Sequence, residues 1–219
     1  MKVVSLLSGG LDSTVMLYAL RAARHKVKCV SFDYGQRHRV ELESAQSIAI
    51  NAGVEYRRVD LTTITDLLKG SSQTDEAVDV PEGHYAAESM KLTVVPNRNM
   101  IMLSIAAAWA ISTGYDAVAY AAHAGDHAIY PDCRREYVKE LSGAFLLCDW
   151  QPIALYTPFI DLTKAEIVQL GVKLDAPFHL TFSCYKGKAG VHCGRCGTCT
   201  ERKEAFTLAG VTDPTTYEA

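Results

Sequence analysis

Short apolar runs alternate along the chain with longer segments in which apolar residues recur every three or four positions. The short runs are often β-branched and predict strands at 2–7, 26–34, 54–61, 115–122 and 152–159. The helical spacing predicts helices at 13–24, 38–51, 98–113, 133–147 and 163–171. This alternation is typical of right-handed β-α-β units, so we predict an α/β fold with a doubly wound, mostly parallel sheet and helices on both faces.

Local signals mark several helix ends. Glu166 follows Thr163 by three residues, which predicts a capping box at the start of the fifth helix. We expect Asp12 or Ser13 to open the first helix. Glycines are expected to close helices at Gly53, Gly114 and Gly171.

The chain shows no sign of a domain boundary before about residue 175, where a cysteine-rich tail begins. We therefore predict a nucleotide-binding α/β domain at 1–175 and a small C-terminal helical subdomain at 176–219. The polar segment 70–90 has neither period, and a loop of this length is typical of a lid, a binding loop or a disordered segment. The sequence is consistent with a lid and with a dimer arm at this segment, and it does not distinguish the two.

The composition is that of a globular protein, and we expect a small molecule as its substrate. The chain has 219 residues, is 48% apolar and carries a net charge of −3, which suits one sizeable core and argues against a nucleic-acid partner. We find no apolar stretch long enough for a membrane span and no signal peptide. We therefore expect a cytoplasmic protein with no membrane and no nucleic-acid partner.

The stretch LLSGGLDSTV joins the first strand to the first helix, where parallel sheets bind ligands. No lysine follows the glycines, unlike the loop of nucleotide hydrolases, so backbone amides would hold the anion and a leaving pyrophosphate is favoured. The alternative is an ordinary turn with a glycine pair. The candidate ATP-binding residues lie in this stretch and at the end of the second strand: Leu7, Ser8, Gly9, Gly10, Leu11, Asp12, Ser13, Thr14, Asp33 and Tyr34. Asp12 would either cap the helix or face a magnesium ion.

Four of the seven cysteines fall within sixteen residues near the carboxyl end: Cys184, Cys193, Cys196 and Cys199. Four thiolates at this spacing suit tetrahedral zinc in a structural role. An iron–sulfur cluster, a redox pair and free buried thiols are the alternatives. The absence of proline after the last cysteine favours zinc, and TERKEAFTLAG predicts a short helix that packs the tail against the body.

Polar residues also collect in the middle of the chain, after the fourth strand and at the mouth of the third helix. Helix caps and solvent-exposed side chains are the alternative interpretation. The candidate substrate-binding residues are Asn97, Arg98, Asn99, His123, Asp126, Tyr130, Asp132 and Arg134. An aspartate such as Asp126 or Asp132 can accept two hydrogen bonds from the edge of a purine. The candidate catalytic residues are Arg98, Lys164 and Asp12, of which the two cations would stabilise charge on phosphate oxygens.

Two resemblances extend this interpretation. The string SGGLDS resembles the SGGxDS signature of the PP-loop ATP pyrophosphatases, which adenylate a substrate and release pyrophosphate. The ordered set SGGLDST, SFDYGQRH, TVVPNRN, AGDHAIYPDCR, DLTKAEIV and the cysteine tail resembles the 7-cyano-7-deazaguanine synthases of the queuosine pathway. Leu11, where family members often have glutamine, and Ala128, where they often have glycine, depart from that pattern and leave the exact substrate open.

The resemblance implies an adenine nucleotide alpha hydrolase-like fold and a homodimer. It implies ATP with Mg2+ as cosubstrate and one structural Zn2+ per chain on the four cysteines. The implied reaction joins 7-carboxy-7-deazaguanine and ammonia into the nitrile through an adenylated carboxylate and an amide, and from the loop chemistry we expect AMP and pyrophosphate.

Two rival functions remain. A PP-loop enzyme that modifies tRNA directly would need a basic face or an added RNA domain, for which a chain of this size and charge lacks room. A zinc-stapled module that senses ATP without catalysis is the second.

Overall fold

The computed structural model describes residues 1–187 and 190–218. Five parallel strands form one sheet in the order β3-β2-β1-β4-β5. The strands are β1 Lys2–Leu6, β2 Lys26–Asp33, β3 Glu55–Asp60, β4 Ala117–Ala119 and β5 Ala154–Tyr156. The chain adds strands on one side of β1 and then on the other, so the predicted doubly wound sheet is confirmed.

Six α-helices connect and cover the strands. They are α1 Leu11–Ala22, α2 Val40–Ala52, α3 Arg98–Ser112, α4 Arg135–Phe145, α5 Lys164–Lys173 and α6 Gly197–Ala209. The five helices expected from the apolar spacing are all present, as is the short helix expected after the cysteines. None of the described helices is long and apolar enough to cross a membrane.

The helices form one layer on each face of the sheet because successive strand residues point to opposite faces. Val4 and Val118 pack in the apolar cluster that holds α3 and α4, whereas Val3 packs in the cluster that holds α1, α2 and α5. Phe206 of α6 belongs to this second cluster. The C-terminal segment therefore shares its core with the first 175 residues, and the division at residue 175 stays a prediction.

The helix ends follow the local signals with two exceptions. The capping box is confirmed, since Thr163 Oγ1 accepts from the Glu166 amide and the Glu166 carboxylate accepts from the Thr163 amide. The expectation that Gly171 closes a helix is wrong, because it lies inside α5 and a Cβ there would overlap the Phe178 ring. The N-cap of α1 is Gly10, which displaces Asp12 and Ser13 into the first turn.

The segment 70–90 is packed against the body of the protein. Ser71, Ser72 and Gln73 are buried, and a short 3-10 helix, Glu88–Thr93, follows at its end. The buried Tyr85 brings its hydroxyl to Asp126, which lies after β4. Segment 70–90 therefore lies against the segment that follows β4.

Candidate active site

A cavity of about 250 Å³ opens at the carboxyl ends of β1 and β2. It lies where the sheet order reverses, with β2 on one side of β1 and β4 on the other. Open α/β sheets bind ligands at such a switch point. Residues from the glycine loop, α2, α3, the segment after β4, α5 and the C-terminal segment all line it.

The glycine loop at one end of this cavity is held from both sides. Gly9 has φ +87°, and a Cβ there would overlap the carbonyl oxygen of Glu41 in α2. The Phe182 amide donates to the Gly9 carbonyl at 2.9 Å, and the hydroxyls of Ser8 and Ser13 lie 3.0 Å apart. Because the first amides of a helix have no partner within it, the start of α1 offers N–H groups to an anion.

A group of charged side chains, which we term the lysine cluster, lies beside the loop. It comprises Lys164, Asp12, Glu201, Asp126 and His123. Lys164 Nζ lies 3.0 Å from Asp12 Oδ2 and 2.7 Å from Glu201 Oε2. His123 Nε2 lies 3.5 Å from Asp126 and 3.9 Å from Asp12. Each carboxylate of the cluster thus lies near a cation or an imidazole.

The lysine cluster shifts the acidities of its members. Burial alone would lower the pKa of Lys164, but the charges of Asp12 and Glu201 outweigh it and raise that pKa. Burial would raise the pKa of Asp12, yet Lys164 and His123 bring it below its ordinary value. Both groups are therefore charged at neutral pH, and Lys164 is held as a cation next to the loop.

The other end of the cavity is aromatic and contains Arg98. The Arg98 guanidinium donates to the Tyr34 hydroxyl at 3.4 Å, and the hydroxyls of Tyr130 and Tyr185 lie 3.5 Å apart. His38 stacks on Tyr185 with ring centroids 5.9 Å apart. Across the described ranges no carboxylate oxygen lies within 4.0 Å of Arg98. A half-buried cation thus faces the cavity without an ionic partner.

Glu41, in the first turn of α2, contributes a carboxylate to the same end. Gln36 Nε2 donates to Glu41 Oε1 at 3.0 Å. Burial raises the pKa of Glu41 to about 7, although the nearby charge of Arg98 opposes the rise. Glu41 and Arg98 both line the cavity, and we term them the open pair. No nitrogen of the Arg98 guanidinium lies within 4.0 Å of a carboxylate oxygen of Glu41.

The predicted binding residues divide into those that line the cavity and those that do not. The lining ones are Leu7, Ser8, Gly10, Leu11, Asp12, Ser13, Tyr34, Arg98, Asn99, Asp126, Tyr130 and Lys164. The others are Gly9, Thr14, Asp33, Asn97, His123, Asp132 and Arg134. Thr14 bonds the Gly10 carbonyl, Asp33 pairs with Arg58, and Arg134 donates to the His127 carbonyl. Asn97 is exposed in the left-handed conformation that precedes α3. The roles of all these residues stay predictions.

The four cysteines are brought together at the base of α6. All four are buried, and their sulfur atoms lie within 4.8 Å of one another. Cys184 Sγ accepts from the amides of Lys186, Gly187 and Cys193, a pattern that stabilises thiolates. The Cys184 and Cys196 sulfurs are 3.9 Å apart, close to the spacing of about 3.8 Å that tetrahedral zinc–thiolate bonds require. The cluster fits a metal site.

Sequence reasoning missed several residues that line the cavity: Gln36, Glu41, Tyr85, Tyr185 and Glu201. Gln36 lies inside the motif SFDYGQRH and Tyr185 directly follows Cys184, so the neighbouring residues of both had already been singled out in the sequence. Glu201 lies in α6, in a run of charged residues that looks solvent-exposed in the sequence. Only the packing of α6 on α5 brings it to Lys164. No local pattern indicated it.

A family model and named relatives match nearly the whole chain. The family model described as "Queuosine biosynthesis protein QueC" matches residues 2–210. The chain is 50% identical over 218 residues to the 7-cyano-7-deazaguanine synthase of Methanoregula boonei, and the match covers all of both chains.

Among solved structures, the U34-tRNA thiolase NcsA of Methanococcus maripaludis with its 4Fe–4S cluster aligns with TM-score 0.55 and 20% identity. That match covers 95% of this chain and 65% of the thiolase. A 4-thiouridine synthetase in complex with RNA and bound ATP aligns with TM-score 0.51 and 17% identity, covering 95% of this chain and 50% of the synthetase. At these identities the two structures show the shared fold.

Proposed function

The chain belongs to the queuosine biosynthesis protein QueC family, and on that premise we propose that it converts 7-carboxy-7-deazaguanine and ammonia, with ATP, into 7-cyano-7-deazaguanine. The enzyme is thus a ligase that forms a carbon–nitrogen bond. The observation that carries the proposal is the rigid, lysine-free glycine loop at the mouth of a cavity that contains Lys164 at one end and Arg98 at the other.

The first half of the reaction activates the carboxylate. A carboxylate is a poor electrophile, so one of its oxygens attacks the α-phosphorus of ATP and pyrophosphate leaves. Backbone amides at the start of α1 and the ammonium group of Lys164 stabilise the charge that develops on the phosphate oxygens. Ammonia then attacks the acyl carbon, the nitrogen loses a proton, AMP leaves with the oxygen that bound the phosphorus, and the amide is formed.

The second half removes the remaining oxygen. The amide oxygen attacks the α-phosphorus of a second ATP and pyrophosphate leaves again. The amide nitrogen then loses both of its protons as AMP leaves with the former amide oxygen, and the nitrile is formed. The scheme requires no side-chain nucleophile. This agrees with the thiol that lines the cavity, Cys133, whose pKa is raised far above its ordinary value by burial.

The side chains divide the work by position. We assign Lys164 and Arg98 to the reacting phosphate and carboxylate oxygens, and Asp12 to holding Lys164 in place through their 3.0 Å ion pair. Asn99 and Tyr130 border the half of the cavity that would bind the deazaguanine ring. Such positioning accounts for most of the acceleration expected in a reaction of this kind.

We assign zinc to the four thiolates and magnesium to the phosphates of ATP. A bound zinc ion would neutralise the thiolates and tie Cys184 and Cys193 to the start of α6. Because all four positions are filled by protein sulfur, the ion would be structural. Magnesium would neutralise phosphate charge. The homodimer implied by the resemblance stays a prediction, which light scattering on the purified protein can check.

The test is a direct assay. The zinc-loaded protein is incubated with ATP, magnesium, ammonium and 7-carboxy-7-deazaguanine, and the products are separated by mass spectrometry. We expect the nitrile, with the amide as an earlier species. No nitrile from zinc-replete protein would overturn the proposal, and tight tRNA binding at physiological salt would favour direct tRNA modification instead.

A further inference from the structure

The carboxylate of Glu41 has spare hydrogen-bonding capacity toward the cavity. An ionised carboxylate accepts about four hydrogen bonds, yet the only donor found for Glu41 among the described residues is Gln36. No lysine, arginine or histidine nitrogen of the described chain lies within 4.0 Å of it. A half-buried carboxylate without a cation is unfavourable in the free protein. A ligand that provides the missing hydrogen-bond donors removes this cost.

The orientation of this carboxylate is fixed before any ligand binds. Gln36 is 3% exposed, and its amide donates to the Phe32 carbonyl at 3.1 Å and to Glu41 at 3.0 Å, while its oxygen accepts from the Tyr34 amide. Gly9 packs against the carbonyl oxygen of Glu41 and so fixes the backbone of this turn. Glu41 therefore presents its second oxygen from a rigid support, as a specificity residue requires.

The substrate of the proposed function has matching chemistry at its two ends. One end of 7-carboxy-7-deazaguanine is the carboxylate that must be activated, and the other presents two adjacent donors, N1–H and the 2-amino group. A carboxylate can accept two parallel hydrogen bonds from such an edge. The flat ring between them suits the tyrosines that border the cavity and the His38–Tyr185 stack.

We propose that Glu41 reads the N1–H and 2-amino edge of the deazaguanine, with Gln36 as the residue that positions it, while Arg98, the other member of the open pair, faces the carboxylate of the same ligand. This inference rests on the proposed function. It replaces Asp126 and Asp132 as acceptors of that edge: Asp126 already accepts from Tyr85 at 2.8 Å and borders the lysine cluster, and the Asp132 side chain does not line the cavity.

The test compares two ligands that differ only in the 2-amino group. Calorimetric titration measures the affinity of the protein for 7-carboxy-7-deazaguanine and for its analogue without that group, 7-carboxy-7-deazahypoxanthine, in the presence of α,β-methylene-ATP. We expect the wild-type protein to prefer the amino ligand by about 10- to 100-fold, the range of a hydrogen bond to a charged group. In Glu41→Gln the preference should fall to about threefold or less.

Two further variants control for folding and for charge. Glu41→Asp keeps the carboxylate on a shorter stem, so it should bind both ligands more weakly while keeping a preference for the amino ligand. Glu43→Gln changes an exposed acid on the same helix and should match the wild type. Thermal unfolding of each variant checks that it is folded.

The outcomes separate this inference from the proposed function. If Glu41→Gln keeps the wild-type preference, or loses affinity only for α,β-methylene-ATP, Glu41 does not read the deazaguanine and the inference is overturned. If the wild-type protein binds neither deazapurine, the proposed function itself fails.

Discussion

The lysine cluster and the open pair border the same cavity but differ in how their charges are compensated. In the lysine cluster, Lys164 contacts Asp12 and Glu201 at 3.0 and 2.7 Å. In the open pair, Glu41 and Arg98 each bond one neutral side chain, Gln36 and Tyr34 respectively. Removing one partner of a buried ion pair leaves the other charge uncompensated and destabilises the fold, whereas a charge that has no ionic partner in the free protein can gain one from a ligand. The comparison therefore predicts that the first group matters for stability and the second for binding.

The four buried cysteines form a third group of side chains, and their thiolates require a cation to compensate their charge. Cys196→Ser should lower bound zinc from one ion per chain to well below that, and should lower the free energy of unfolding by more than about 4 kcal/mol, because a structural metal contributes directly to folding. Metal analysis and urea unfolding measure the two effects. Cys148→Ser, at an exposed thiol, is the control. An unchanged unfolding midpoint in Cys196→Ser would contradict the structural role.

Lys164→Met tests the compensated side of the comparison. The substitution leaves Asp12 and the buried Glu201 without their cation, so the free energy of unfolding should fall by about 3 kcal/mol in addition to a loss of activity. Urea unfolding at pH 7 measures it. Lys173→Met, on the exposed side of the same helix, should change stability by less than about 0.5 kcal/mol. Equal stability of the two variants would show that the pairing is unimportant.

Arg98→Met tests the uncompensated side. Since no described carboxylate pairs with Arg98, its removal should leave the free energy of unfolding unchanged or raise it, while kcat/KM for the carboxylate substrate falls about 100-fold. Arg57→Met, at an exposed arginine of β3, should keep wild-type kinetics. A loss of stability as large as that in Lys164→Met would remove the distinction between the two groups.

The pH dependence of stability gives the smallest expected effect. Burial raises the pKa of Glu41 from 4.5 to about 7 in the folded protein. Between pH 4.5 and 7, Glu41 is ionised in the unfolded chain but still mostly protonated in the folded protein, so the free energy of unfolding should fall as the pH rises through this interval. Above about pH 7 Glu41 is ionised in both states and should have no further effect on the pH dependence. The difference in unfolding free energy between Glu41→Gln and the wild type should grow by about 1–2 kcal/mol over this interval. A constant difference would contradict the raised pKa.

Features whose signals are local in sequence were predictable. Apolar spacing indicated the five strands, and the Thr163–Glu166 capping box and the four clustered cysteines each lie within a short segment. Gly171 was misassigned because a helical glycine required by a neighbour, Phe178, looks in sequence like a helix end.

Features that depend on tertiary packing were not predictable from one sequence. Glu201 meets Lys164 only because α6 packs on α5, across 37 residues. Asp132 and Asp126 have the same chemistry in sequence, yet only Asp126 lines the cavity. Glu41 belongs to an ordinary helical pattern, and its role depends on the donors that its surroundings fail to provide. Compensation of charge is a property of the folded cavity.

The central claim is that the glycine loop serves adenylation of the substrate carboxylate. The most direct test labels both oxygens of that carboxylate with ¹⁸O and follows the label in the phosphorus products by NMR and mass spectrometry. Because the attacking oxygen stays on the α-phosphorus, adenylation predicts AMP that carries one heavy oxygen, together with unlabelled pyrophosphate, and two such AMP molecules for each nitrile. ADP with the label in inorganic phosphate would contradict it.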